Sequence, residues 1–230
     1  MKNYIFLIFS MISMSTLAQQ NLTPETLWQL GRVTPLGISK DGKLLVYKVG
    51  TPSVEENKIN SKYYTIPVQG GNASLVEDYK SLLADKNISP DGKFLLSSKE
   101  VKVEKLLGKD LYPELSKTTA QVYTGLDYRH WDTWNDGTHN HVFYSENKKD
   151  AIGIDIMPNE PFDAPQKPFG GDEDYIWSPD GTKIIYVCKK KAGTAYATST
   201  NTDLYEYDLA TKITKNLTEG NLGYDTHPTF

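Results

Sequence analysis

The chain has little cysteine, little net charge and, beyond its first eighteen residues, no long apolar run. A single cysteine, Cys188, excludes any internal disulfide framework in whatever compartment the protein occupies. It stands within Ile184-Ile185-Tyr186-Val187-Cys188, without a cysteine-protease signature around it, and reads as a small buried hydrophobe. A net charge of -4 offers no basic face to a nucleic acid. No stretch after residue 18 approaches the roughly 18 apolar residues that a membrane span needs. Helix signals are scarce as well. Thr23-Pro24-Glu25 can cap a short helix reaching about Leu30, and a brief helix fits the first half of a charged insertion at 99–115.

The N-terminus reads as an address. Lys2 supplies the positive start, an apolar run covers 4–12, and Thr16-Leu17-Ala18 offers the small residues of a cleavage site. Residues 1–18 are therefore expected to be a secretory signal, and 19–230 an exported chain, periplasmic or secreted. No cysteine stands directly after Ala18, so neither a lipoprotein anchor nor, once the signal is removed, a membrane span is expected.

What the sequence has in quantity is one turn followed by a strand. In Trp177-Ser178-Pro179-Asp180-Gly181-Thr182-Lys183, Pro179 presets φ, Asp180 takes the second central position and Gly181 supplies a positive φ. Ile184, Ile185 and Tyr186 follow as strand formers. Ile38-Ser39-Lys40-Asp41-Gly42-Lys43 and Ile88-Ser89-Pro90-Asp91-Gly92-Lys93 repeat the pattern, each before an apolar run. The copies start at 38, 88 and 177, so the second interval is close to two periods of the first. That spacing predicts a disguised copy near 133, where Trp134-Asn135-Asp136-Gly137 precedes Val142-Phe143-Tyr144. Phe230 then stands where Trp177 stands, as though another repeat were due. A period of about 45 to 50 residues holds four short strands, so the expected fold is all-β, a partial β-propeller of about four blades.

Three clusters invite chemistry. His139 and His141, with His130, Asp132 and Asp136 nearby, could bind a metal. No further histidine or cysteine partner lies at a fitting distance, so the expectation is no metal and no cofactor, with Trp131, Trp134 and His130 packing between blades. Asp172-Glu173-Asp174, after Gly170-Gly171, could present carboxylates to a substrate ammonium. Lys189-Lys190-Lys191 opens what reads as a long exposed loop over 189–202.

The repeated Ser-Pro-Asp-Gly-Lys hairpin resembles the propellers of the periplasmic Tol-system protein and of the prolyl oligopeptidase family of serine peptidases. Two stretches favour the second. Residues 22–33, Leu22-Thr23-Pro24-Glu25-Thr26-Leu27-Trp28-Gln29-Leu30-Gly31-Arg32-Val33, look like the opening of its secreted dipeptidyl- and acylaminoacyl-peptidase branch. Arg129-His130-Trp131-Asp132-Thr133-Trp134-Asn135-Asp136-Gly137, continuing to Phe143, is similar to a segment of that branch's propeller. The resemblance implies an exopeptidase acting on short peptides, whose propeller limits access to an α/β-hydrolase domain carrying Ser, Asp and His. No G-x-S-x-G elbow occurs in this sequence. The chain is therefore expected to be an N-terminal portion with no catalytic residue of its own, and the hydrolase domain is its expected partner. An unclosed propeller would expose strand edges and self-associate. The alternative is a non-enzymatic periplasmic propeller that binds a protein or an envelope component.

Overall fold

The computed structural model describes residues 22–129 and 132–230; the expected signal at 1–18 and the pair His130 and Trp131 lie outside the described residues. The chain divides between Ala84 and Asp85 into two compact units. The first opens with helix α1 (Pro24–Gln29), where the Thr23 hydroxyl accepts the Thr26 N–H at 3.2 Å and proline occupies the first turn. Strands β1 (Arg32–Ile38), β2 (Leu44–Ser53), β3 (Lys58–Pro67) and β4 (Ser74–Val76) follow as an antiparallel meander in chain order. Val46 and Thr65 face each other across β2 and β3 and are buried at its centre, and the adjacent pair Tyr47 and Tyr64 stack at 5.6 Å.

The second unit contains two sheets. One is β5 (Phe94–Lys102), β6 (Thr138–Glu146) and β7 (Ile154–Asp155); the other is β8 (Tyr175–Trp177), β9 (Lys183–Cys188), β10 (Asp203–Asp208) and β11 (Thr214–Asn216). Ile88 bridges Leu95, so the first sheet keeps a one-residue remnant of an opening strand. Leu96, Val142, Tyr144 and Met157 pack with Trp177, Ile184, Tyr186 and Cys188 in one core, each at most 4% exposed. Ile185 and Val187 are buried too, so β9 is covered on both faces, and its unbroken apolar run reflects that. Trp177 spans the two sheets in a second way: its indole N–H donates to the Asn87 carbonyl at 2.8 Å.

The three turns share one hydrogen-bonded clasp. In each, the glycine N–H donates to the serine carbonyl at 2.8 Å, from Gly42 to Ser39, Gly92 to Ser89 and Gly181 to Ser178. The serine hydroxyl donates to the aspartate, at 2.6 Å in Ser39–Asp41, 2.7 Å in Ser89–Asp91 and 2.6 Å in Ser178–Asp180. The same hydroxyl accepts the N–H of the first strand residues Leu44 (2.9 Å) and Phe94 (2.9 Å), and that of Lys183 at 3.0 Å. The glycines sit at φ of +72°, +75° and +69°, a region that a side chain disfavours. The clasp tolerates Lys40 where the other two copies have proline.

The described residues form three sheets rather than four, which corrects the expectation of a fourth turn at 134–137. Asp136-Gly137 leads into β6, the partner of β5, so the 89-residue interval is one sheet interrupted by an insertion over 103–137. Gly137 forms the neck of that insertion: its carbonyl accepts the N–H groups of Val103 at 2.8 Å and Glu104 at 3.1 Å. Its φ is +85°, and a Cβ there would overlap the Glu104 carbonyl. Helix α2 (Gly108–Leu111) and a 3-10 turn at Pro113–Leu115 lie in the insertion, while 99–102 extend β5 instead of starting a helix. Trp134 is 46% exposed and packs on Tyr123 with the Arg129 guanidinium over its face, so it does not sit between sheets as expected. The expected loop at 189–202 contains a short helix, α3 (Gly193–Thr198).

Ser178→Ala should leave the Lys183 amide without its buried acceptor and lower stability by about 1–3 kcal/mol, read as a shift in the denaturant midpoint. Hydrogen bonds from Ser178 and the Thr182 amide hold Asp180 down to about 2. At Asp91, Lys93 followed by the Ser89 hydroxyl does the same, again to about 2. Carboxylates depressed in the folded state contribute stability above their ordinary value of 3.8, and that contribution is lost as the pH falls from there towards 2. An acid titration in which wild type and Asp180→Asn lose stability in parallel would contradict this.

Candidate functional site

Strand direction sorts the connections of the second unit. The β8–β9 and β10–β11 links are tight turns at one end of the sheets. The 103–137 insertion, the 156–174 link and the 189–202 loop all leave from the opposite end. Contacts tie these long segments together: Tyr128 meets Thr194 hydroxyl to hydroxyl at 3.1 Å, Lys190 pairs with Glu160 at 2.6 Å, and the Cys188 thiol points at the Asp163 carbonyl at 3.5 Å. A groove of about 790 Å3 lies at the tight-turn end, between Phe94, Tyr144, Ile154 and Leu209, away from this gathering of polar groups.

The acidic run occupies the long-loop end as a 3-10 turn, Asp172–Asp174, immediately before β8. Its three carboxylates have different fates. Asp174 is 1% exposed and accepts the Gln166 amide N–H at 3.1 Å; burial lifts its pKa above the usual carboxylate range. Asp172 accepts the Tyr175 phenol at 2.7 Å, and its carbonyl takes the Lys86 ammonium at 2.9 Å. Glu173 is half-buried and makes no hydrogen bond or ion pair with the described residues. Gly170 lets this turn close, because a Cβ there would meet the Asp174 carboxylate and lie 2.5–2.6 Å from the Gln166 backbone. The arrangement leaves one carboxylate uncommitted beside a buried one, and an uncommitted carboxylate suits an incoming ammonium.

The two histidines are committed within the fold. His141 is fully buried, with Nδ1 2.8 Å from Asp155 Oδ2 and Nε2 2.9 Å from the Glu160 carbonyl. His139 lies between two carboxylates, Nδ1 3.2 Å from Asp163 and Nε2 3.2 Å from Glu104. All four ring nitrogens therefore have protein partners, and among the described residues no group of histidine, cysteine or carboxylate side chains is arranged to hold a metal ion. Asp136 accepts the Thr138 N–H at 2.9 Å, a local turn bond. Cys188 is fully buried, and burial pushes its thiol pKa far up, which removes it as a nucleophile. Lys189 donates to the Tyr196 carbonyl at 2.7 Å and Lys190 is paired with Glu160, so these two lysines of the run are structural. No helix among the described residues is long and apolar enough to cross a membrane.

The sequence is 36% identical over 264 aligned residues to dipeptidyl-peptidase 5 of Porphyromonas gingivalis, covering 95% of this chain and 38% of that protein. It is 34% identical to dipeptidyl-peptidase 5 of Porphyromonas endodontalis, covering 91% of this chain and 37% of that one. A fission-yeast dipeptidyl-peptidase 5, from Schizosaccharomyces pombe, is 27% identical over 71% of this chain. The chain spans under two fifths of the length of the two Porphyromonas relatives. Among solved structures, the β-propeller domain of the Trilobed protease from Pyrococcus furiosus is matched over 84% of this chain and 45% of that one, at 11% identity and a TM-score of 0.29. No protein-family model matches.

Two substitutions separate the parts of the acidic turn. Gly170→Ala should cost about 1–3 kcal/mol by overpacking the turn. Asp174→Asn keeps the acceptor for Gln166 while removing a charge that burial disfavours, so its melting temperature at neutral pH should equal or exceed that of wild type. Thermal unfolding of both variants checks this; a large loss in Asp174→Asn would mean that its charge is needed.

Proposed function

We propose that this chain is the propeller portion of an exported serine exopeptidase that removes dipeptides from short peptides. The carrying observation is its similarity, over 95% of its length, to a protein named as a dipeptidyl-peptidase. Catalysis is assigned to a hydrolase portion outside these 230 residues, consistent with the absence of a G-x-S-x-G elbow from the sequence. In this reading the long-loop end of the second unit meets the substrate and limits entry to short peptides.

A dipeptidyl-peptidase must measure two residues from a free amino terminus, and an ammonium is recognised by carboxylates held where water is partly excluded. Glu173 suits that role. It is half-buried and uncommitted, and flanked by Asp172, fixed by Tyr175, and Asp174, fixed by Gln166. Glu173 is assigned as the ammonium partner, with Asp172 adding charge beside it. Asp174 sets the shape of the turn rather than touching substrate.

The test uses the product of the complete coding sequence, assayed on dipeptidyl coumarin amides with free and acetylated amino termini. The free amines should be cleaved and the acetylated ones spared, and a fluorophosphonate should label the protein. Glu173→Gln should raise KM about 10- to 100-fold, the worth of a charge-assisted hydrogen bond, with a smaller change in kcat. Equal cleavage of blocked substrates would overturn the exopeptidase reading, and an unchanged KM in Glu173→Gln would move the anchor elsewhere.

A further inference from the structure

Both His139 and His141 have acceptors at the two ring nitrogens, but only His139 has a carboxylate on each side. It lies on β6 and is 8% exposed, and each ring nitrogen faces a carboxylate oxygen at 3.2 Å, Glu104 on one side and Asp163 on the other. A neutral imidazole carries one N–H, so either tautomer would aim a nitrogen lone pair at a carboxylate. Only the imidazolium donates to both. The two acids belong to different segments. Glu104 stands at the neck of the 103–137 insertion, where Gly137 accepts its backbone N–H, and Asp163 belongs to the 156–174 link.

We propose that His139 is a latch: as an imidazolium bridging Glu104 and Asp163 it fastens the 103–137 insertion to the body of the second unit, and loss of its proton releases the insertion.

The surrounding charges agree with a protonated ring. On the Asp163 side, Oδ1 takes the Asn140 N–H at 2.8 Å and the Lys167 ammonium at 3.2 Å, and Lys167 also lies 4.0 Å from Glu100 on β5. On the Glu104 side, the Asn135 side-chain amide lies 3.5 Å away, and the Asn135 backbone N–H is held by Asp127. Lys102, next to the neck, is spent on Asp110 and on the Asp136 carbonyl. Along β6, His141 is occupied by Asp155. The ring therefore has two carboxylates in contact and one ammonium, Lys167, on the far oxygen of Asp163. Burial pulls the His139 pKa down, but the hydrogen bonds and charges of Asp163 and Glu104 outweigh it and leave the value raised above 6.5. Asp163 moves the opposite way: against burial, His139 and the Asn140 N–H hold it below 3.8. A raised histidine contributes stability that is complete below pH 6.5 and is lost as the pH rises through the native value.

The latch and Lys102 are the side-chain ties at the neck, and the other described residues of the insertion bury little apolar surface. Of its residues, Leu111, Tyr112, Leu115, Leu126 and Trp134 are all more than two fifths exposed. Release should therefore open the insertion without unfolding the sheets behind it.

Hydrogen exchange followed by mass spectrometry on the whole chain, between about pH 6 and pH 9 and corrected for intrinsic rates, is the direct test. Protection within 104–136 should fall about tenfold across that range, while β9 and β10 stay unchanged. Glu104→Gln, at a partly exposed position that leaves the core intact, should flatten this dependence and lower the His139 titration seen by NMR. Wild-type protection that is constant over the range, or a His139 that titrates at or below its ordinary value, would overturn the proposal.

Discussion

The structure depends first on a hydroxyl group. Ser39, Ser89 and Ser178 each donate to an aspartate two residues on and accept the N–H that opens the following strand. A buried serine that did only one of these would leave an unpaired polar group, at a cost of about 1–3 kcal/mol. The aspartate is in turn fixed by an amide N–H two residues further, that of Lys43, Lys93 or Thr182. The clasp thus sets the register of the strand as it leaves the turn. In the second unit this places Ile184 and Tyr186 on the face shared with Leu96, Val142 and Tyr144, and it brings Gly181 against the ring of Pro90 in the other sheet's turn, where a Cβ would lie 3.3 Å from Cδ.

Fixing one end of each sheet leaves the other free to vary. Turns of a few residues at the clasp end tolerate little change in length. The connections at the far end carry the 103–137 insertion, the 156–174 link and α3 without disturbing a strand pair. Loops on a rigid scaffold are where recognition chemistry collects. Here they gather the uncommitted Glu173, the buried Asp174 and the His139 bridge in one unit. The acidic turn and the latch share a support: the 156–174 link holds Asp163 near its start and ends at Asp174, with Gln166 between them accepting the Gly170 N–H on its carbonyl and donating its own to Asp174. In the proposed reading, ammonium binding at Glu173 and release of the insertion would bear on the same stretch of backbone.

Much of this was legible in the sequence, for physical reasons that differ from place to place. The Ser-x-Asp-Gly turns were readable because turn chemistry is local, and the burial of β9 was readable because both of its faces are apolar. The pairing of β5 with β6 was not. Asp136-Gly137 uses the residue types of the repeated turn for a different purpose, closing the neck of an insertion. One clue distinguished them: Trp134 stands two residues before Asp136, where the true copies have a serine, so there is no hydroxyl to make the clasp. The acidic run was visible as three equivalent carboxylates. What separates them is Tyr175 on the next strand and Gln166 in a distant part of the link, and no spacing rule reports either. His139 and His141 were seen as neighbours that could bind a metal, but their partners come from three separate places: Glu104 at the neck of the insertion, Asp155 on β7 and Asp163 in the 156–174 link.

Whether the long-loop end of the second unit meets the amino terminus of a peptide is decided most directly by a crystal structure of the product of the complete coding sequence with a dipeptide bound. The dipeptide ammonium should lie within hydrogen-bonding distance of the Glu173 carboxylate, on the side where β8 begins. An ammonium held at the tight-turn end, or by carboxylates outside the second unit, would contradict that assignment.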